Sequence, residues 1–324
     1  MRKFLIIRFS SIGDIVLTSP IARCIKEQIP DSVVHYLTKI EYEDIVSNSP
    51  YIDKVFPVEK KELHQAIREL QKEKYELIID LHHNLRSMRV KKKLKARSAS
   101  FPKLNYEKFL LTKFKINKLP KGLHIVDRYF ETVKSIGVEN DGAGLDYFIP
   151  QKDAIDVSKF DIKSNYVAFS IAAKFPTKKM PNDMIIELIR KIDHQVVLLG
   201  GLADVDNANE ITANCRDVID LTGHLYLNKT ASVLKQASKV VTFDTGLMHI
   251  AAAFQKPIIS IWGNTVTDFG MYPYMPGNEE LYSIHEVDLN CRPCSKIGYE
   301  KCPKKHFNCM RQQNLDTIAQ AINS

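Results

Sequence analysis

"VVTFDTGLMHIAAAFQKPIISIWG", residues 240–263, places an apolar strand, an Asp-Thr-Gly turn, an apolar helix and a second apolar strand in sequence. About two dozen positions are close to the shortest length that a βαβ crossover allows. Strands that are apolar throughout belong in a parallel sheet covered on both faces. Asp244 stands where a helix N-cap belongs, and Thr245 and Gly246 open the helix. The first turn of a helix presents unpaired N–H groups and the positive end of the dipole. Gly246 leaves the backbone open to close approach, so the turn suits a diphosphate. His249 follows about one turn along and faces the same side in that reading. The same residues also describe a capped, buried crossover helix with a core histidine.

The alternation continues outward. "NYVAFSI" (165–171), "HQVVLLGG" (194–201) and "KVVTF" (239–243) read as strands, and "MPNDMIIELIRKI" (180–192) and "NKTASVLKQAS" (228–238) as helices. An earlier series precedes them. Strands are expected at 3–9, 33–38, 54–58 and 76–81, and helices at 20–30 and 63–75. Between the two series, "DAIDVSKFDIKS" (153–164) is polar and aperiodic, and it reads as a linker. The fold class is therefore α/β, with two doubly wound Rossmann-like domains, 1–157 and 158–324. A chain of 324 residues suits two domains at roughly 100–200 residues each. Ligands of such folds bind at the carboxyl ends of the strands and in the cleft between domains.

Three further stretches fall at strand ends. "AAKFPTKKMPNDM" (172–184) carries Lys174, Lys178 and Lys179; it is either a phosphate-neutralising loop or a solvated charged one. "LLGGLADVD" (198–206) offers two glycines for a turn and Asp204 or Asp206 as acceptors from ribose hydroxyls. Alone it is a common pattern. "RFSSIGDIVLTSP" (8–20) ends a strand and turns through Ser10, Ser11 and Gly13. Its Asp14 is either a helix-start residue or a base at the mouth of a site, and the two roles are compatible.

Apolar residues make up 44% and charged residues 26%, which is ordinary for a globular protein. No apolar run approaches the ~20 residues of a membrane helix, and no signal peptide is read. The cytoplasm is the simplest location. The formal net charge of +8 points to an anionic partner. Between Arg86 and Lys121 there are thirteen cations and one acid, Glu107. That stretch reads as a mobile basic flap over an anionic surface. It lacks the interleaved aromatic platform of a nucleic-acid module, so no nucleic acid is expected.

Taken together, "SSIGDIVLTSP" (10–20), "YELIIDLHHNLRS" (75–87), "KKMP" (178–181), "FDTGLMHIAAA" (243–253) and "CRPCSKIGYEKCPKKHFNCM" (291–310) resemble glycosyltransferase family 9, the bacterial lipopolysaccharide heptosyltransferases. The resemblance spans nearly the whole chain. It implies a GT-B fold, two Rossmann-like domains facing across a cleft. It further implies inverting, metal-independent transfer from a nucleotide sugar, typically ADP-heptose, to the lipopolysaccharide inner core or its Kdo–lipid A base. The enzyme would then be peripheral to the inner membrane on the cytoplasmic side. By position, Asp14 would be the general base and Lys178 would neutralise the leaving diphosphate. Asp244 would contact the donor sugar, and Thr245 and Gly246 would hold the diphosphate. Asp204 would approach the adenosine ribose, and His249 would lie in the donor site. Ser10, Ser11, Lys91, Lys92 and Lys93 would face the acceptor. Two alternatives share the donor site: a member using another nucleotide sugar, and a binding protein without catalysis.

Two features depart from the family pattern or stand outside it. Met180 occupies a place where many relatives carry tryptophan, and His82 and His83 fall in a loop expected to face the acceptor. The cysteines Cys291, Cys294, Cys302 and Cys309, with His306 between the last two, read either as a structural zinc set or as reduced thiols. No metal is assigned, and no cofactor beyond the nucleotide-sugar donor.

Overall fold

The computed structural model describes residues 1–59 and 62–324. They form two compact units. The first comprises Met1–Lys103 and Leu123–Phe148, the second Leu104–Gly122 and Ile149–Ser324.

The first unit is built on a parallel sheet of β1 (Arg2–Ile7), β2 (Ser32–Lys39), β3 (Lys54–Val58), β4 (Leu77–Asp80) and β5 (Ser98–Ser100) in the order β3-β2-β1-β4-β5. β1 is central because it is apolar on both faces: Phe4 to Ile7 are fully buried. Leu5, Ile7 and Phe9 pack with Phe56 and Ile78 under Ala66, Ile67 and Leu70 of the helix Leu63–Leu70. The register sets Ile7 beside Asp80. The loops that leave β1 and β4 therefore start side by side at the carboxyl edge. The chain passes from β1 to β2 and β3 on one side, then returns to β4 on the other. The crevice between β1 and β4 is the switch point where such sheets bind ligands.

Arg23 ties the end of this unit to its core. It lies on the helix Ser19–Gln28 and is 4% exposed. Its Nε and Nη2 donate to Asp141 at 2.7 and 2.9 Å, its Nη2 to the Gly144 carbonyl at 2.9 Å, and its Nη1 to Asp146. The pairing with Arg23 holds the Asp141 carboxyl down at about 2. A depressed carboxylate stabilises above its unfolded value, so this contribution is lost as pH falls from ~4 toward 2. Replacing Arg23 by Ala leaves two acids facing each other and is expected to cost about 3 kcal/mol, read by urea denaturation at pH 7. A loss below ~0.5 kcal/mol would assign the clamp to the surface class of ion pairs.

The second unit carries a parallel sheet of β6 (Val167–Ser170), β7 (Val196–Leu199), β8 (Val218–Asp220), β9 (Lys239–Phe243), β10 (Ile258–Trp262) and β11 (Tyr282–Glu286) in the order β11-β10-β9-β6-β7-β8. Here the switch point lies between β6 and β9, paired through Phe169 and Val241. Its largest buried cluster joins Phe169, Leu198, Phe243 and Ile261 to helices Asn182–Ile189 and Leu315–Asn323. Met180 is 2% exposed and belongs to that core, so its methionine is a packing residue.

The basic stretch differs from the expected flap. It contains the helices Leu85–Leu94 and Asn105–Phe114. Asn84 caps the first by accepting from the Arg86 and Ser87 N–H groups at 2.9 and 3.0 Å. Each helix is anchored by a buried apolar residue, Val90 in the first and Leu111 in the second. Polar composition hid two packed elements. No helix among the described residues is long and apolar enough to cross a membrane.

Candidate active site

In the first unit the loop after β1 closes on itself around Asp14. The residue is at the third position of the short helix Ile12–Val16 and makes a capping box with Ser11. Its Oδ2 accepts from the Ser11 N–H at 3.1 Å and the Ser11 hydroxyl at 2.8 Å, and Arg8 Nη2 lies 2.6 Å from its Oδ1. Burial alone would raise the Asp14 carboxyl. The Arg8 charge and the Ser11 donors outweigh it and hold the carboxyl below the usual range. The side chain keeps 21% exposure, so the carboxylate is both ionised and reachable.

Arg8, 8% exposed, organises the switch point. Besides Asp14 it donates to the Ser10 carbonyl at 2.8 Å, to Tyr129 Oη at 3.2 Å, and to the carbonyl of Leu81 in the loop after β4. That loop carries His82, whose ring stands edge-on to Phe9 with centroids 5.2 Å apart. Burial, together with the Arg8 and Lys103 charges, pushes His82 down to about 4, which makes it a neutral imidazole. His83 is held away by its N–H on Asp80 at 2.7 Å and its Nδ1 at 3.0 Å from the Phe101 carbonyl.

Of the three lysines expected at the acceptor, Lys91 is engaged internally. Its Nζ lies 2.8 Å from the fully buried Asp80 and 2.6 Å from Ser100 Oγ. Lys92 and Lys93 are exposed, as are Leu85, Met88 and Arg89 on the same helix. The structure thus brings Ser10, Ser11 and Asp14 together, and leaves Lys92 and Lys93 as the solvent-facing cations.

In the second unit, Lys178 leaves the β6 loop and meets Asp244 at the end of β9. Lys178 Nζ is 2.5 Å from Asp244 Oδ2 and 3.1 Å from its carbonyl. Thr265, in the loop after β10, donates to the same carboxylate oxygen at 2.8 Å. Thr245 is the N-cap of the helix Gly246–Ala253 and makes no side-chain cap bond, so the first-turn N–H groups have no side-chain partner from it. Cations and free N–H donors at a switch point form an anion site. His249 is buried in that helix at 2% exposure.

Asp204 is enclosed and already partnered. It is 5% exposed, accepts from the Gly201 N–H at 3.0 Å and pairs with Lys179. The glycine turn is tight around it: a Cβ on Gly200 would come 2.8 Å from Thr222 Cγ2 and 3.0 Å from Asp204 Cβ. Several buried side-chain atoms lack a hydrogen-bond partner along this edge. They are Ser170 Oγ, Thr222 Oγ1 and both polar atoms of the Asn264 amide. Unpartnered polar groups gathered at one edge of a sheet mark where a polar ligand or water completes them.

The cysteine-rich segment holds both sides of the Lys178–Asp244 pair. Arg292 donates to the carbonyls of Gly263 at 2.6 Å and Thr265 at 2.8 Å, and to that of Val287 at 2.5 Å, and pairs with Glu286 at 2.7 Å. Thr265 in turn fixes Asp244. On the other side, Thr177 N–H and Oγ1 bond the Tyr299 carbonyl at 3.2 and 2.9 Å, next to Lys178. Gly298 permits this with φ +124°, at a point where any Cβ would strike the Phe175 ring. All six cysteines are free thiols. Cys291 Sγ is 3.9 Å from His306 Nε2, yet among the described residues no three His, Cys, Asp or Glu side chains converge as metal ligands. Arg8, Thr265, Asn264 and Arg292 are the site residues that the sequence reading missed. Only Arg8 had a local signal, as a charge interrupting an apolar run.

The chain as a whole is similar to known proteins. The lipopolysaccharide heptosyltransferase 3 of Escherichia coli K12 is 24% identical over 317 residues, covering 89% of this chain and 92% of its own length. The structure of E. coli ADP-heptose LPS heptosyltransferase II superposes with a TM-score of 0.71 at 18% identity, over 99% of this chain and 100% of that one. The E. coli heptosyltransferase WaaC with ADP-2-deoxy-2-fluoro heptose gives 0.68 at 23% identity, over 96% and 98%. The fold is that of these GT-B enzymes. Residues 63–304 match the family described as Glycosyltransferase family 9 (heptosyltransferase), and the chain belongs to that family.

Proposed function

We propose that the chain is an inverting heptosyltransferase. It moves heptose from ADP-heptose to the inner core, or the Kdo–lipid A base, of lipopolysaccharide at the cytoplasmic face of the inner membrane. The observation that carries the reading is the Lys178–Asp244 pair with Thr265 at the open first turn of the helix Gly246–Ala253. The acceptor hydroxyl oxygen attacks the anomeric carbon as the bond to ADP breaks. The bonding electrons leave on the β-phosphate oxygen, and the acceptor proton goes to Asp14. Lys178 and the first-turn N–H groups of residues 246–248 neutralise the leaving diphosphate in place of a divalent ion. Asp244 contacts the sugar. Asp204 serves the nucleotide side by holding the glycine turn, its Oδ2 accepting from the Gly201 N–H. Ser10, Ser11, Lys92 and Lys93 take the acceptor, with the last two reading its phosphates and carboxylates.

Although both Asp14 oxygens are engaged, a carboxylate offers about four lone-pair sites, so room remains for the acceptor hydroxyl. Its depressed position makes it a weak base that stays ionised. Activity is therefore expected to hold down to pH values below the usual carboxylate range, and to fall only as Asp14 protonates. Arg8→Met removes the charge that lowers it while burial persists. The acid limb of kcat should then move up by roughly one unit or more, measured as a pH–rate profile. An unmoved limb would take Asp14 out of the reaction.

The test of the function is direct. Purified protein, ADP-heptose and a Kdo–lipid A acceptor are incubated with excess chelator, and the acceptor is weighed by mass spectrometry. One added heptose, undiminished by chelator, is expected. Transfer only from a UDP- or GDP-sugar would reassign the donor, and stabilisation by ADP-heptose without transfer would leave a binding protein.

A further inference from the structure

The segment 104–122 interrupts the sequence of the first unit but belongs to the second. Its helix Asn105–Phe114 is seated by one side only. Leu111 packs with Leu119 and Phe269, flanked by Leu104, Val266 and Met271. Beyond the helix, Asn117 Nδ2 donates to Asp268 at 2.5 Å, and Lys115 Nζ to the carbonyls of Cys291 and Pro293 at 3.1 and 2.7 Å.

The other side is exposed. Tyr106, Phe109, Phe114 and Ile116 are 66, 44, 61 and 48% exposed. Among the described residues, thirteen large hydrophobic side chains are exposed, and four of them fall within these eleven positions, so this is a patch and not scatter. Phe109 and Phe114 meet edge to face with centroids 5.8 Å apart. Lys296 Nζ reaches the Asn105 carbonyl at 3.4 Å, which brings the exposed Ile297 loop to the start of the helix. Lys113, Lys118 and Lys121 of the same segment are exposed as well, and Glu107 is its only acid.

We infer that this face, Tyr106 to Ile116 with Lys113, Lys118 and Lys121, docks the protein on an anionic lipid bilayer. Aromatic rings favour the headgroup level, where one end is apolar and the other wet. Long lysine stems lie along the acyl boundary and keep their charge among anionic headgroups. A helix with aromatic and basic positions on its free face is the pattern of an interfacial element. The near-absence of acids suits a negatively charged surface, whereas a protein partner would be matched by both signs. The inference deepens the membrane-anchored acceptor proposed above and rests on that reading for its purpose, though its evidence is separate. It also narrows the docking element from the whole basic stretch between Arg86 and Lys121 to the part of it that belongs to the second unit.

The experiment compares the native chain with Phe109→Ser/Phe114→Ser and with Lys113→Ser/Lys118→Ser/Lys121→Ser. The first readout is co-sedimentation with phosphatidylglycerol-containing vesicles and with neutral phosphatidylcholine vesicles, without acceptor. The second is heptose transfer to a water-soluble, delipidated core acceptor. The native chain should bind anionic vesicles and not neutral ones. The phenylalanine variant should bind roughly tenfold or more weakly. The lysine variant should lose a factor on the order of 10², at roughly fivefold per cation. Both should keep native transfer to the soluble acceptor, which also reports that they fold. Native binding that neither variant weakens overturns the docking face. So does a native dimer that the phenylalanine variant dissociates without any vesicle binding. Vesicle binding that depends on these residues, in a chain that transfers nothing, upholds the face and removes the proposed function instead.

Discussion

Asp14→Asn is expected to lower kcat by a factor on the order of 10² or more while leaving ADP-heptose binding unchanged. Asparagine keeps the shape and one carbonyl acceptor for the Ser11 donors, so the capping geometry survives. It cannot take a proton from an attacking hydroxyl. The change also leaves the guanidinium of Arg8 short of its charge partner in a site where it is 8% exposed. Arg8 still donates to Ser10, Leu81 and Tyr129, so the cost is expected near 1–3 kcal/mol and the unit stays folded. Calorimetric donor titration, thermal melting and kcat on one preparation separate the two effects. An asparagine variant with native kcat would leave Asp14 as a capping residue and nothing more.

Lys178→Met should be nearly as severe, by a different route. On the mechanism proposed above it removes the cation beside the leaving group, worth on the order of 10²–10³ in turnover where such groups act on developing charge. It also exposes the diphosphate to Asp244, which Lys178 otherwise pairs at 2.5 Å. Donor affinity should therefore fall together with kcat. Adding Asp244→Asn to Lys178→Met removes that repulsion, and part of the lost ADP affinity should return, although turnover should not. Lys179→Met is the control. Lys179 pairs with the buried Asp204, so its loss should lower the melting temperature more than the rate. Equal ADP affinity in native and Lys178→Met proteins would make the pair a structural bridge.

The elements legible in the sequence are those whose signal is local. β3 and β9 occupy the expected residues because Lys54–Val58 and Lys239–Phe243 are short apolar runs bounded by turns. β5 and β8 are only three residues each, Ser-Ala-Ser and Val-Ile-Asp. They are strands because a neighbour in the sheet pairs with them, and that pairing has no local mark. β11, Tyr-Ser-Ile-His-Glu, is a half-exposed edge strand. The helix Val205–Asn214 buries only Ala208 and Ile211, which is too thin a stripe for its period to stand out.

The site divides in the same way. Asp14, Lys178 and Asp244 stand at strand ends and are readable there. Their partners come from farther off: Thr265 is 21 residues from Asp244, and Arg292 is 27 beyond the Thr265 it holds. No local pattern spans such separations. The basic stretch was misread for the complementary reason. Its charge is conspicuous, whereas the one-sided packing of Val90 and Leu111 depends on residues elsewhere in the fold.

Lys115 bonds to the carbonyl oxygens of Cys291 and Pro293 across separations of 176 and 178 residues. During synthesis, therefore, the helix Asn105–Phe114 leaves the ribosome long before the segment that fastens it exists. Phe269, its apolar seat, is also far downstream. Until then Leu111 and the aromatics Tyr106, Phe109 and Phe114 are all uncovered on one basic helix. At ~5–20 residues per second this wait lasts roughly ten to thirty seconds. The nascent chain therefore presents its aromatic, cationic segment early, while Arg292 and Tyr299, which hold the loops on either side of the Lys178–Asp244 pair, arrive far later. A chain stalled before residue 290 lacks Arg292 and Tyr299, and with them the bonds that fix Thr265 and Thr177 on either side of the Lys178–Asp244 pair.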